Sequence, residues 1–546
     1  MADKKGAVVR QASFLMAAQM ISSVIGLLYK SPLHVIMGDV GDGYYQFAQE
    51  WYTIILLISS YSIPSAVSKV MAERLAVHQY KNANRVFRAA LIYVTVVGLI
   101  GGLVAYFGAP FFLQESQDAV LALRILAPTI FLSGFLGCMR GFFQAHNTMK
   151  PTAISQIAEQ FLNAAVSVLA AYLLTRPYLG QENLRARYGA AGGTIGTSVG
   201  VLTGLLIMLA VFLVNRKLIG RRIRKDRHRN VEPYREVFRD IFLMVTPIIL
   251  ATCVYNLSSV VDQRIFASLL TAKEVPSETI ASQYGLFSYR CKTIINIPIA
   301  LASATSTALI PAVASSIAEK KQKDAAEKIN ECIRLILFLA VPSAFGIAIL
   351  SYPVMLMLYP SGDVRTAAVL LSCGAVSVIF YSLSTVTNGV LQGLGHPGEP
   401  VKNAALGLVM NVLTVYLLVG WLDIGVYGVL AATVVYSFSV MILNGFAVRK
   451  HFGMKVGTVR AFFAPLRAAV IMGIGVAAVY WGPRLLFPQV FGRYLVSAVL
   501  TLAAVLAGVL IYFVTYLKMT GMTDAEIRKL PMGTRMLSLL RKLHLR

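Results

Sequence analysis

Apolar residues in this chain come in long runs, each closed by a short polar or basic segment, and the runs recur from end to end. Fourteen can be distinguished, at about 11–37, 42–68, 89–111, 119–139, 152–175, 188–215, 240–271, 279–317, 335–358, 366–392, 403–421, 425–448, 464–483 and 494–517. A helix needs roughly 20 apolar residues to cross a bilayer, so each run reads as a span, and the longest must tilt or project beyond the lipid. The pattern predicts an all-α integral membrane protein with about 14 transmembrane helices.

Composition agrees. Of 546 residues, 57% are hydrophobic, more than one soluble core requires. The net charge of +25 adds orientation. The N-terminus, the even-to-odd connections and the C-terminal tail, counted with Arg467 at the near edge of span 13, hold 38 Lys and Arg, and the opposite connections hold 7. Five more sit deeper in spans: Lys30, Arg124, Arg264, Arg290 and Lys292. Positive-inside bias then places both termini in the cytoplasm. Trp51, Trp421 and Trp481 fall toward the outer ends of their spans, as interfacial anchors do. The charge is densest over Arg216–Arg239, where topology and anionic headgroups account for it, so nucleic acid is not an expected partner. The five cysteines form no CxxC pair, which gives neither a metal site nor a disulfide framework. The first run is too long for a signal peptide, carries Lys30 and has no clear cleavage site, so it reads as a retained span.

The chain also repeats itself. Gly141-Phe-Phe-Gln144 recurs as Gly389-Val-Leu-Gln392, and Asn163 as Asn411, both at an offset of 248. Pro64–Ser68 matches Pro311–Ser315 at 247, and Tyr188-Gly189 matches Tyr427-Gly428 at 239. Ser22-Ser23-Val24 is echoed by Ser258-Ser259-Val260. Ordered matches at nearly constant offset indicate a duplication. Six spans per copy is an even number, so the copies share one orientation about an axis along the membrane normal, a transporter arrangement with the substrate path between halves. The expected divisions are 1–230, spans 1–6 ending in a basic linker; 231–460, spans 7–12; and 461–546, spans 13–14 and a basic tail.

The junction of spans 4 and 5 reads Arg140-Gly-Phe-Phe-Gln-Ala-His-Asn-Thr-Met-Lys-Pro-Thr-Ala-Ile-Ser-Gln-Ile-Ala-Glu-Gln160. It resembles the signature of the polysaccharide-transport branch of the multidrug/oligosaccharidyl-lipid/polysaccharide exporter superfamily, and more narrowly the stage V sporulation protein B group and its MurJ-type relatives. The resemblance covers essentially the whole chain. It implies a flippase that moves an undecaprenyl-pyrophosphate-linked glycan, lipid II as leading case, to the outer leaflet of the cytoplasmic membrane. It further implies a V-shaped pair of lobes with alternating access, and two extra helices lining a groove for the lipid tail. Cell-wall and sporulation roles go with the family. MurJ-type relatives carry cavity arginines in spans 1 and 2; here span 1 offers Lys30, and span 2 has no base before Lys69. Arg290, in Phe287-Ser-Tyr-Arg290, falls at a family arginine position.

A carrier of a diphosphate-linked glycan needs cations in a wet cavity, and intramembrane bases are functional candidates because they are costly to bury. Arg290 stands about 16 Å into span 8 by helical rise, and its planar fork suits phosphate; the alternative is an ion pair within one lobe. Lys30 is a second candidate, against outward snorkelling, and Arg264 a third, against a pair elsewhere. Lys292 is turned about 200° from Arg290 on an α-helix, and Arg124 reads as snorkelling. Glu159, the one acid deep in span 5, is a candidate for coupling to a cavity cation or to an ion, or else packs with Gln144, Gln156 and Gln160. Asn163 and Asn411 complete the polar set. Asp262, Asn403 and Asn411 lie on spans where the resemblance implies sodium binding in some relatives, but no metal ligand is assigned. Asp39 and Asp42 read as turn residues of an outer connection. The glycines of 189–200 follow a helix rather than a strand, and so favour close helix packing over phosphate binding.

No cofactor is expected, and a sodium gradient, a proton gradient or the membrane potential remains open as driving force. The expected partners are the undecaprenyl-linked lipid and membrane lipids around a monomer, with contact to the cell-wall synthesis machinery open. The rival in the same fold is a multidrug and toxin extrusion-type cation antiporter, disfavoured by the bases in the spans. The rival of another class is an integral-membrane glycan-processing enzyme. That reading needs paired acids or histidines at a membrane face, and only His34 lies in a span, with no acid pair expected beside it.

Overall fold

The computed structural model describes residues 18–61, 63–146, 148–226, 231–319, 321–452, 458–486 and 494–520. Among them the chain is helical almost throughout and forms no strand. The elements in the first part are α1 (Ala18–Leu28), then α2 (Lys30–Leu56), α3 (Ile63–Ala76), α4 (Tyr80–Phe112), α5 (Val120–Ala145), α6 (Lys150–Thr175), α7 (Glu182–Arg224), α8 (Tyr234–Ala272) and α9 (Ser277–Gly285). The rest are α10 (Lys292–Ala318), α11 (Gln322–Ile349), α12 (Ser351–Leu358), α13 (Val364–Gly374), α14 (Val376–Gly393), α15 (Gly398–Val415), α16 (Val426–Phe452), α17 (Thr458–Leu486) and α18 (Tyr494–Thr520).

Among the described residues, ten helices are long and apolar enough to cross a membrane, or up to eleven if a bent pair counts as one. The expected count of fourteen is therefore not confirmed. Part of the first run lies outside the described residues, and the second follows it with no loop, through a helix broken only at Gly38. The tenth run is bent by 43° between α13 and α14.

The chain divides into two compact units, Met1–Tyr289 and Arg290–Arg546, and the boundary falls within a π-helical turn, Leu286–Cys291. In the first unit, the glycines of α7 bring it against α6. A Cβ at Gly192 would lie 2.4 Å from Ala171 Cα, and one at Gly200 would lie 2.6 Å from the Glu159 carbonyl oxygen. This is the close helix packing that the small residues predict. Its apolar core joins α3, α4, α5 and α7 through residues such as Val67, Phe87, Phe142 and Met208. α7 is 43 residues long, about 65 Å by helical rise, against roughly 30 Å of hydrocarbon. Its basic end, Arg216–Arg224, thus extends past lipid into polar surroundings. Arg74 at the end of α3 meets Glu232 at 3.1 Å and Asp240 at 2.6 Å, tying the linker and the start of α8 to this unit. In the second unit, α17 and α18 pack together, α17 also packs on α11, and Phe338 of α11 lies against Tyr512 and Tyr516 of α18.

Candidate functional site

The polar interior of the first unit is built on α2. Glycine at 38 takes φ +74 and ψ −178, a region that side chains other than hydrogen strongly disfavour. The helix breaks there and resumes at Asp39. On an unbroken helix His34 and Asp42, eight residues apart, would be separated by about 12 Å along the axis. The break brings His34 Nδ1 to 2.9 Å from Asp42 Oδ2, with both side chains fully buried. Asp39 Oδ1 lies 4.0 Å from His34 Nε2. Two expectations are corrected here. His34 does have acids beside it, and Asp39 and Asp42 are helical rather than members of an outer turn. On α7, Arg185 donates to the carbonyls of Val35 and Ile36, at 2.8 and 2.7 Å, and so closes the helix end that the break leaves open.

Lys30 opens α2, partly buried, with its ammonium 4.5 Å over the Tyr289 ring. It interacts electrostatically with Asp42. Tyr45 meets Tyr289 edge-on at 5.5 Å, so the ring beneath the lysine is itself fixed by packing, and Tyr289 Oη donates to the Lys30 carbonyl oxygen at 3.1 Å.

Further along α2, Glu50 is 6% exposed and accepts hydrogen bonds from Tyr284 Oη at 2.7 Å and Ser288 Oγ at 2.6 Å. Glu50 is absent from the residues expected to form the site, although an acid inside a span is itself a signal of function. With Asp42 and Glu50 in the interior of α2, charge inside the spans is closer to balance than the bases alone suggest. The backbones of α2 and α9 touch about two turns before Glu50: a Cβ at Gly43 would lie 2.0 Å from the Ala281 carbonyl oxygen.

The other candidates have partners. Arg264 of α8 pairs with Glu115 and reaches the Phe112 carbonyl oxygen at 3.5 Å. Glu159 of α6 receives Arg140 of α5 at 2.6 Å, and the same guanidinium holds Ser155 at 3.1 Å. Asn163 accepts from Ser167 at 3.0 Å. Gln144 sits half-buried at the end of α5.

In the second unit, Arg290 lies in the π-helical turn, fully buried, with its guanidinium 5.5 Å over the Tyr359 ring. A π turn rotates side chains off α-helical register, which spacing alone does not reveal. Asp363 caps α13 by accepting from the Thr366 amide at 3.0 Å. Burial would raise its carboxyl, but the Thr366 hydrogen bonds and the Arg290 charge outweigh that and hold it below the ordinary range. Asn411 is fully buried, and its amide atoms meet no hydrogen-bond partner among the described residues. Asn403 donates to Asn444 at 2.9 Å.

Helices of bilayer length that bury acids and bases among aromatic and hydroxyl groups define a membrane transporter. The chain belongs to the lipid II flippase MurJ family, whose model matches residues 80–523. It is 24% identical over 514 residues to the lipid II flippase MurJ of Bacillus subtilis (strain 168), covering 91% of this chain and 92% of that one. It is 23% identical to stage V sporulation protein B of the same organism, covering 80% and 82%. Its fold is similar to that of a lipid II flippase MurJ solved in an inward closed conformation, with a TM-score of 0.65, 14% identity, and coverage of 92% of this chain and 98% of that one.

Proposed function

We propose that this protein flips an undecaprenyl-pyrophosphate-linked glycan, lipid II first among them, from the inner to the outer leaflet of the cytoplasmic membrane. The observation that carries the reading is the family match over 80–523. The two halves alternate access, the protein acts as a monomer, both termini are cytoplasmic, and an ion gradient or the membrane potential drives the cycle. Lys30, Arg264 and Arg290 are the cations offered to the diphosphate. Arg290 is fully buried and Arg264 holds Glu115, so each must exchange a present partner for phosphate. Lys30 is only partly buried and takes first place. Glu159, Gln144, Asn163 and Asn411 supply polar support. Expression in a bacterium depleted of its own lipid II flippase tests the reading: growth is restored if it holds. Failure to restore growth by a correctly inserted protein would refute lipid II as cargo.

A further inference from the structure

α2 grips the turn that follows α9 at two places, both inside the first unit. At the first, Glu50 accepts hydrogen bonds from two hydroxyls: Tyr284 Oη meets Oε2 at 2.7 Å, and Ser288 Oγ meets Oε1 at 2.6 Å. Tyr284 is a fixed post. It is fully buried, with its ring centroid 5.1 Å from that of Phe47 and 5.9 Å from that of Phe266. Its hydroxyl also reaches the Ser259 carbonyl oxygen at 3.1 Å. At the second place, Tyr289 Oη donates to the Lys30 carbonyl oxygen at 3.1 Å, and the Lys30 ammonium stands 4.5 Å over the same ring. Ser288 and Tyr289 are consecutive, and both belong to the π-helical turn Leu286–Cys291. Such turns are rare and gather at functional sites. The carboxylate that bridges Tyr284 to Ser288 spans the entry of the turn, so it fixes where the next side chain, Tyr289, emerges.

We propose that Glu50 is a positioning residue: by bridging Tyr284 and Ser288 it sets the Tyr289 ring under Lys30, and so presents the ammonium to an anionic headgroup. The inference rests on the reading of Lys30 as a cargo contact. A lysine side chain has many rotamers, and seating it over a ring before cargo arrives removes that ordering cost from binding. Glu50 itself touches no cargo. Its oxygens are engaged by the two hydroxyls and by Gln46 Nε2 at 3.4 Å, and its negative charge would repel a diphosphate. A packing role alone would ask only for the crossing of α2 and α9, which Gly43 and Ala281 already make.

The test uses the full chain in lipid nanodiscs, with 3-fluorotyrosine at position 289 read by fluorine NMR, and a short-chain polyprenyl-diphospho-sugar as probe. Lys30→Gln marks the empty seat: it should shift the fluorine resonance and weaken the probe by about tenfold or more, the worth of a hydrogen bond to a charged group. Glu50→Ala should also move the resonance, and should weaken the probe by roughly 2–30-fold, the range set by holding an ammonium over an aromatic face. Glu50→Gln should restore both readouts most of the way, because the amide oxygen still accepts from one hydroxyl and Tyr284 keeps the Ser259 carbonyl. In a Lys30→Gln background Glu50→Ala should add no further loss, since it acts only through Lys30. Met208→Ala, a cavity in the apolar core of the same unit, should leave the resonance in place.

Ser288→Ala removes one donor from the bridge and should move the resonance in the same direction as Glu50→Ala, so it carries the test if Glu50→Ala does not fold. An unmoved resonance in the folded bridge variant would overturn the proposal. So would equal losses in Glu50→Gln and Glu50→Ala, or losses that multiply in the double variant. If Lys30→Gln binds the probe normally, the cargo reading of Lys30 fails, and the resonance at 289 still decides whether Glu50 sets the ring.

Discussion

The close crossing of α2 and α9 gives a sharp stability prediction. An alanine Cβ at Gly43 would stand 2.0 Å from Ala281 O, 2.3 Å from its carbonyl carbon and 2.7 Å from its Cα. A comfortable carbon-to-oxygen approach is about 3.3 Å, so the two backbones must part by roughly 1.3 Å. No flexible side chain is there to yield. Overpacking of this kind costs about 1–3 kcal/mol, or roughly 5–150-fold in the folded fraction. Gly38→Ala isolates a different cause. Nothing lies within 4 Å of its Cβ position, but the φ of +74 is strained for alanine, at about 1–3 kcal/mol. Gly180→Ala has neither a neighbour within 4 Å nor positive φ and should stay within about 0.5 kcal/mol. Denaturant titration of the three variants in mixed micelles, read by tryptophan fluorescence, orders them. Gly43→Ala with a midpoint equal to that of Gly180→Ala would refute the α2–α9 contact.

Three further outcomes are expected. A double-mutant cycle on Arg140 and Glu159, both largely buried at 15% and 24% exposure, should give a coupling of about 1 kcal/mol; a value near zero would remove this pair from the account. The Asp363 carboxyl is depressed in the folded protein, so its contribution to stability is present above the ordinary carboxylate range and is lost as pH falls through its lowered value. Asp363→Asn should therefore flatten the acid limb of the stability curve, and an unchanged limb would contradict the cap. Cysteines placed within 216–226 should resist an impermeant thiol reagent in intact cells, and ready labelling would reverse the proposed orientation.

Fold class was legible because apolar run length is a direct record of bilayer thickness. The close packing of α6 on α7 was legible in the small residues of 189–200. The interior of the site was less so. His34 and Asp42 are eight residues apart, and only the backbone at Gly38 makes them neighbours; a glycine in an apolar run does not announce its φ. Arg290 could be singled out by type and depth, but the π turn that aims it at Tyr359 arises from packing. Arg264 and Glu159 show the common limit: a charge in a span is visible in sequence, whereas its partner, Glu115 or Arg140, is chosen by which helices meet.

The most direct test of the account is translocation by the purified chain in liposomes carrying fluorescent lipid II. The account predicts that lipid II reaches the far leaflet at a rate set by the amount of protein, and that an undecaprenyl lipid lacking the diphosphate stays behind. Equal movement of both lipids, or none of lipid II by folded protein, would contradict it.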